Sequence, residues 1–239
     1  MERMVGNTKI FGSFNSRKDS AAMEQVIAAA AFALECYSRI YMECPYDMLI
    51  VTNNGWATKA NFSMECSGFI TVSFGNTDEG SFNNTINTYH EMAHQWFYFL
   101  VGNDKNAEPW LGGSFAEISV GICFEESGNT EWAETYWETR KQKAVFASGE
   151  MLNKAYDETE YYVPLMYGKG AVFLKELMDA VGRNEFLSIL SDYCKSYAYK
   201  NATTQDFLSI LREKSIVDVE GIVKNRATGQ NGKNTLFYR

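Results

Sequence analysis

The chain has two histidines, and they stand four residues apart in His90-Glu91-Met92-Ala93-His94. On a helix, four residues is one turn, so both imidazoles leave the same face. The surrounding residues, from about 83 to 101, carry a helical period, with Asn83 or Asn84 as a cap and Gly102-Asn103 as a stop. Two ring nitrogens one turn apart can reach one zinc ion at about 2.0–2.1 Å. Glu91 lies between them and points to the same side. Its carboxylate is suited to take a proton from a water that the metal polarises. A five-residue match of this kind also recurs by chance, so its surroundings have to support it.

Around this helix the order is strands first, helices later. Residues 19–42 read as a helix with apolar positions on one face and Asp19 or Ser20 as cap. Two short apolar runs, 47–52 and 68–74, read as buried strands, the first ending in the turn signal Asn53-Asn54-Gly55. Residues 76–80 read as a polar loop. Helical periods follow over 110–126, 130–148, 165–181 (broken at Gly182), 185–197 and 204–214. Residues beyond Gly221 read as an irregular polar tail, and 1–18 carry no functional signal. The pattern predicts an α+β domain with a small mixed sheet early and a mainly helical lobe after the histidine helix.

Composition excludes several functions. The net charge is −8, which disfavours a phosphate backbone as partner, so no nucleic acid is expected. No apolar run approaches the roughly 20 residues of a membrane span. The start lacks an apolar signal core, which favours a cytoplasmic chain. Five cysteines without a C-x-x-C pair argue for buried free thiols over a disulfide framework or a cysteine metal site. With three prolines and no linker, the 239 residues read as a single domain.

The run 90–117, HEMAHQWFYFLVGNDKNAEPWLGGSFAE, is far more specific than the five-residue motif. It resembles, without a gap, the zinc-site signature of the aminopeptidase N-type gluzincin metallopeptidases, HExAHQWFGNLVxxxxxxxxWLNEGFAxY. Tyr167-Gly168-Lys169-Gly170-Ala171 resembles that family's Y-x-K-G-A segment, and 201–207 its A-T-T-x-D-F segment. Phe62-Ser63-Met64-Glu65-Cys66 keeps only the Met-Glu core of its G-x-M-E-N segment. The resemblance covers about 46–214 and implies a thermolysin-like catalytic domain with a zinc cofactor and a peptide substrate. It implies His90 and His94 as ligands, Glu91 as general base and Tyr167 as the donor that stabilises the oxyanion. It also implies Glu65 as the anchor of the substrate's free α-amine; a solvated loop glutamate is the plainer reading of that residue. The family's N-terminal β-domain and C-terminal helical domain have no counterpart here, which implies an excised fragment or a naturally reduced protein.

One position departs from the pattern. The family's third zinc ligand is a glutamate nineteen residues past the second histidine, and Gly113 stands there. Two histidines and water would hold zinc weakly, because catalytic sites normally use three protein ligands. Glu117 lies one helical turn on. It can serve as a substitute ligand or, as an acid here more often does, hold a ligating histidine by its other nitrogen. Gly112-Gly113 predicts a frayed or shifted helix start, since each glycine costs about 1 kcal/mol relative to alanine. Two functions stay open: an aminopeptidase weakened at its metal, and an inactive peptidase-like domain that binds peptides or a protein partner.

Overall fold

A computed structural model describes residues 1–14, 19–53, 63–73, 78–150, 152 and 154–227. Five strands form one mixed sheet in the order β1-β2-β3-β5-β4. β1 (Glu2–Val5) and β2 (Thr8–Ser13) form an antiparallel hairpin. β2 runs parallel to β3 (Met48–Asn53), and β3 parallel to β5 (Phe69–Val72). β4 (Met64–Cys66) closes the edge antiparallel to β5. The parallel β2–β3 pair requires a crossover, which α1 (Ser20–Ile40) provides. The hairpin over residues 2–13 was not expected from sequence. Its inward positions alternate Thr8, Ile10 and Gly12, and only Ile10 carries a large apolar side chain.

Asp19 occupies the cap position of α1, but its side chain makes no cap bond; instead its carboxylate accepts from Asn53 Nδ2 at 3.1 Å, tying the helix start to the end of β3. The turn expected at Asn54-Gly55 lies outside the described residues, as does Phe62.

The histidine helix, α2, spans Asp78–Ala93. It begins earlier than Asn83, taking in part of the expected polar loop, and it stops well short of Val101. The stop is a change of bonding: Gln95 N–H reaches back to Met92 O at 3.1 Å, three residues instead of four. Tyr98 then takes φ 128°, a region uncommon for side-chain-bearing residues, and Val101–Gly102 becomes a short strand, β6, parallel to β7 (Lys200–Asn201).

The helical lobe is built around α3 (Trp110–Glu126), in which every residue from Trp110 to Phe124 is buried. A helix apolar all round belongs at the centre of a lobe. The expected fraying at Gly112-Gly113 does not occur: the helix starts at Trp110, and Gly113 N–H bonds Pro109 O at 3.1 Å. Tertiary packing overrides propensity here, with Trp110 Nε1 bonded to Thr204 at 2.9 Å. α4 (Thr130–Val145) follows, then the single turn α5 (Tyr162–Pro164) and a π-helical turn over Leu165–Lys169 that leads into α6 (Gly170–Val181). α7 (Arg183–Tyr197), α8 (Thr204–Lys214) and α9 (Val219–Ala227) complete the lobe. α9 replaces the first part of the expected irregular tail, with Val219 and Val223 buried on one face. Cys36, Cys123 and Cys194 are buried free thiols as read from sequence, whereas Cys66 is exposed.

The π turn is wedged between α3 and α4. A Cβ on Gly168 would lie 2.6 Å from Ala144 N and 2.9 Å from Lys143 C, both backbone atoms that cannot swing aside. Gly168→Ala should therefore lower the unfolding free energy by about 1–3 kcal/mol, as overpacked sites do. Urea denaturation checks this, and an unchanged midpoint would contradict the packing described.

Candidate metal centre

Two helices, one edge strand and the π turn meet at the histidine motif. α2 supplies His90 and Glu91, with His94 just past its last turn; α3 supplies Gly113 and Glu117; β4 supplies Glu65; the π turn supplies Tyr167. His90, Glu91, His94 and Glu117 are all buried. The two Nε2 atoms of His90 and His94 face each other at 3.1 Å. Tetrahedral geometry at a bond length of about 2.0–2.1 Å puts two ligand atoms roughly 3.3 Å apart.

The other nitrogen of each ring is occupied. His94 Nδ1 lies 3.0 Å from Phe97 O, a carbonyl made available because the chain leaves helical geometry after Ala93. His90 Nδ1 lies 2.8 Å from Glu117 Oε1, an ion-pair distance without the alignment of a full hydrogen bond. Rings held by Nδ1 present Nε2 to whatever lies between them. Glu117 thus sits on the far edge of His90, away from the paired Nε2 atoms. Its second oxygen accepts from Tyr136 OH at 2.7 Å and from Arg140 Nε. Burial alone would raise the Glu117 carboxyl; Arg140, His90 and Tyr136 outweigh it and hold it at about 2. Burial likewise opposes a charged His90, and the Glu117 carboxylate overcomes it and raises that imidazole. His94, buried beside His90, is pushed down to about 4.

Glu91 carries the one carboxylate oxygen of the motif that is buried with no partner, Oε2. Burial pushes this carboxyl up to about 8. A nearby divalent cation reverses such a shift, because its charge dominates the local field. Glu65, Glu91 and His94 each present a ligand atom within 4.8 Å of the other two. The position of Glu65 is set by Gln95, whose side chain accepts from Gly68 N–H at 3.0 Å and donates to Cys66 O at 3.1 Å. That clamp fastens the β4–β5 turn to the end of the histidine helix. Glu65 is accordingly a strand residue with 14% of its side chain exposed, and Lys105 Nζ lies 2.9 Å from its Oε1.

Gly113 lies under Tyr167. A Cβ there would meet Tyr167 Cε1 at 3.0 Å and Met166 Cβ at 3.4 Å. The Tyr167 ring also stands edge-on to His90, with centroids 5.2 Å apart. A cleft of about 390 Å³ opens over Gly113 and Tyr167, lined also by Glu65, His94, Lys105 and Tyr162 among others. A larger cavity of about 670 Å³, between α4 and α6, contains none of the residues singled out in the sequence. The acids of the preceding loop are engaged elsewhere: Asp104 caps a turn at Asn106 and Ala107, and Glu108 accepts from Thr204 N–H.

Sequence reasoning did not find Arg140, Tyr136 or Lys105. Arg140 follows Glu117 by 23 residues on another helix, and no local spacing signals that contact. Its position gives a clear expectation. Arg140→Met leaves a buried carboxylate without its main cation and should cost about 3–5 kcal/mol of stability. Adding Glu117→Gln should recover much of that loss. Equal stability of the wild type and Arg140→Met in chemical denaturation would overturn this account.

With this geometry in place, comparison with known proteins gives a consistent result. The Peptidase family M1 domain matches residues 22–225. Aminopeptidase M1-B of Oryza sativa subsp. japonica is 32% identical over 164 residues, 64% of this chain and 18% of its own length. Endoplasmic reticulum aminopeptidase 2 of Bos taurus is 31% identical over 125 residues, 49% of this chain and 13% of its own length. The chain therefore spans about a fifth or less of these curated relatives. A crystal structure of an M1 zinc metallopeptidase from Deinococcus radiodurans superposes with a TM-score of 0.72 at 18% identity, covering 100% of this chain and 52% of that one. The α+β fold is thus that of the M1 metallopeptidase domain, and the chain belongs to peptidase family M1.

Proposed function

We propose that this chain is the catalytic domain of a zinc aminopeptidase, with its metal held less tightly than a three-ligand site would hold it. The observation that carries the reading is the facing pair of Nε2 atoms, 3.1 Å apart, beside the buried and unpartnered Oε2 of Glu91. His90 and His94 would hold zinc through Nε2. Zinc, when bound, supplies a Lewis acid that polarises a peptide carbonyl and acidifies water to a pKa of about 7.

The chain's own residues carry the rest. Glu91 takes a proton at Oε2, where no other group competes for it. Glu117 and Arg140 keep the His90 ring turned so that its Nε2 faces that of His94. Burial raises the Tyr167 phenol far above its ordinary value, so it stays neutral and can donate to an oxygen on which charge develops. Glu65, at the cleft wall, receives the substrate's ammonium. Gly113 offers no side chain, and both oxygens of Glu117 are engaged elsewhere. Among the described residues, a third protein donor would come from Glu65 or Glu91, the acids within 4.8 Å of the His94 ligand atom.

Elemental analysis of the purified chain, run beside a panel of aminoacyl chromogenic substrates, tests this reading. Bound zinc with turnover is expected, and Glu91→Gln should remove turnover by at least about a hundredfold while retaining the metal. No zinc and no turnover would sink the proposal and favour the inactive peptide-binding domain. Gly113→Glu should raise zinc affinity at least about tenfold in chelator competition, because it adds the third donor. The Tyr167 ring must yield by a few tenths of an ångström to admit it. No gain in affinity would mean that the side chain at 113 does not reach the metal.

A further inference from the structure

The carboxylate assigned to receive a substrate's ammonium already has an ammonium on it. Lys105 Nζ lies 2.9 Å from Glu65 Oε1 and 4.9 Å from the centroid of the Tyr98 ring. The loop that presents Lys105 is tied down on both sides of it. Asp104 accepts from Asn106 N–H at 2.9 Å and Ala107 N–H at 3.0 Å, and Asn103 Nδ2 donates to Glu108 O at 2.9 Å. Tyr98 is itself fixed by the unusual backbone that ends the histidine helix. Lys105 is thus a placed cation at the mouth of the cleft. Its side chain is 51% exposed, so it can also leave toward solvent.

A primary α-ammonium and a lysine ε-ammonium are the same chemical group to a carboxylate. Two of them on one carboxylate repel each other, and with Oε1 already taken, a substrate amine gains less from Glu65 than it would from an unpaired acid. We propose that Lys105 is a resident competitor for the amino-terminus subsite, so that this cleft binds free α-amines more weakly, and discriminates less against blocked amino ends, than Glu65 alone would dictate. The proposal rests on the reading of Glu65 as amine anchor, and its test is chosen to be independent of metal content and turnover.

The probe is L-leucinol, which has the free amine of an aminoacyl group and no bond to hydrolyse, compared with N-acetyl-L-leucinol. Binding of each to the whole chain is followed by NMR titration at pH 7 and low salt. Lys105→Met, which keeps the length of the stem and removes the charge, should tighten leucinol binding roughly 3- to 10-fold, between the values of screened and charge-assisted ion pairs. Binding of the acetylated compound should change less than about twofold. In Lys105→Met with Glu65→Gln, the gain should vanish, which places it on Glu65. Equal tightening of both compounds would mean that Lys105 only occupies space, and would overturn the proposal. Unchanged or weaker leucinol binding in Lys105→Met would also overturn it, because the lysine would then be neutral or helpful to the ligand. A chain without zinc or turnover leaves each of these outcomes readable.

Discussion

The buried carboxylate of Glu117 is the constraint around which the helical lobe is arranged. At 3% exposure it has almost no water to share its charge, so its partners must come from the fold. α4 supplies Arg140 and Tyr136, and α2 supplies His90. One side chain on α3 therefore fixes the relative rotation of three helices. Such a cluster adds less stability than a well-packed apolar one of the same size, but an arrangement that separates its members is heavily penalised. A slip of α4 by one turn would strand both a carboxylate and a guanidinium in the core.

The same cluster determines what the histidines can do. A ring anchored at Nδ1 cannot turn, so the direction of Nε2 is set by helix packing and not by the ligand that arrives. His94 obtains its anchor differently, from Phe97 O, and that carbonyl is in place only because α2 gives way after Ala93. Ending the helix there also leaves Gln95 free to clamp the β4–β5 turn, which brings Glu65 from the sheet to the helices. The strained Tyr98 backbone, φ 128°, falls in this short stretch and next to the cleft, where such strain is commonly concentrated. The residues just after the motif are therefore as much a part of the site as the motif.

What could be read in advance followed from local pattern. The two histidines and Glu91 were legible because an i, i+4 pair shares a face by geometry alone. α6, α7 and α8 were legible because their apolar positions recur at the helical period. The β1–β2 hairpin was not, since Thr8 and Gly12 give almost no hydrophobic signal at inward positions. The early start of α2 was hidden because Phe82 is the one large apolar residue between Asp78 and Asn84, too few to show a helical period. The firm start of α3 at two glycines reflects tertiary burial, which no window of sequence contains. Arg140 and Lys105 belong to the same class: their partners lie 23 and 40 residues away, and only the fold brings them together.

The glycine at 113 shapes the packing around it. Without a side chain there, the Tyr167 ring settles within 3.0 Å of where a Cβ would be, so the phenol and a glutamate at 113 contend for one space. Glu117 is not free to serve a metal between the histidines, because drawing its carboxylate toward the paired Nε2 atoms would leave Arg140 buried without its anion. Among the described residues, the acids whose ligand atoms lie near that of His94 are Glu91 and Glu65. If Glu91 is to stay free as a base, any further donor to a metal has to be Glu65. On the proposed reading, that carboxylate would face three claims at once, from a metal, from a substrate ammonium and from Lys105, which already lies 2.9 Å away. It has two oxygens, and all three claimants are cations that repel one another. On the proposed reading, what this cleft binds would be set by which of them holds Glu65, each gaining only at the expense of the others.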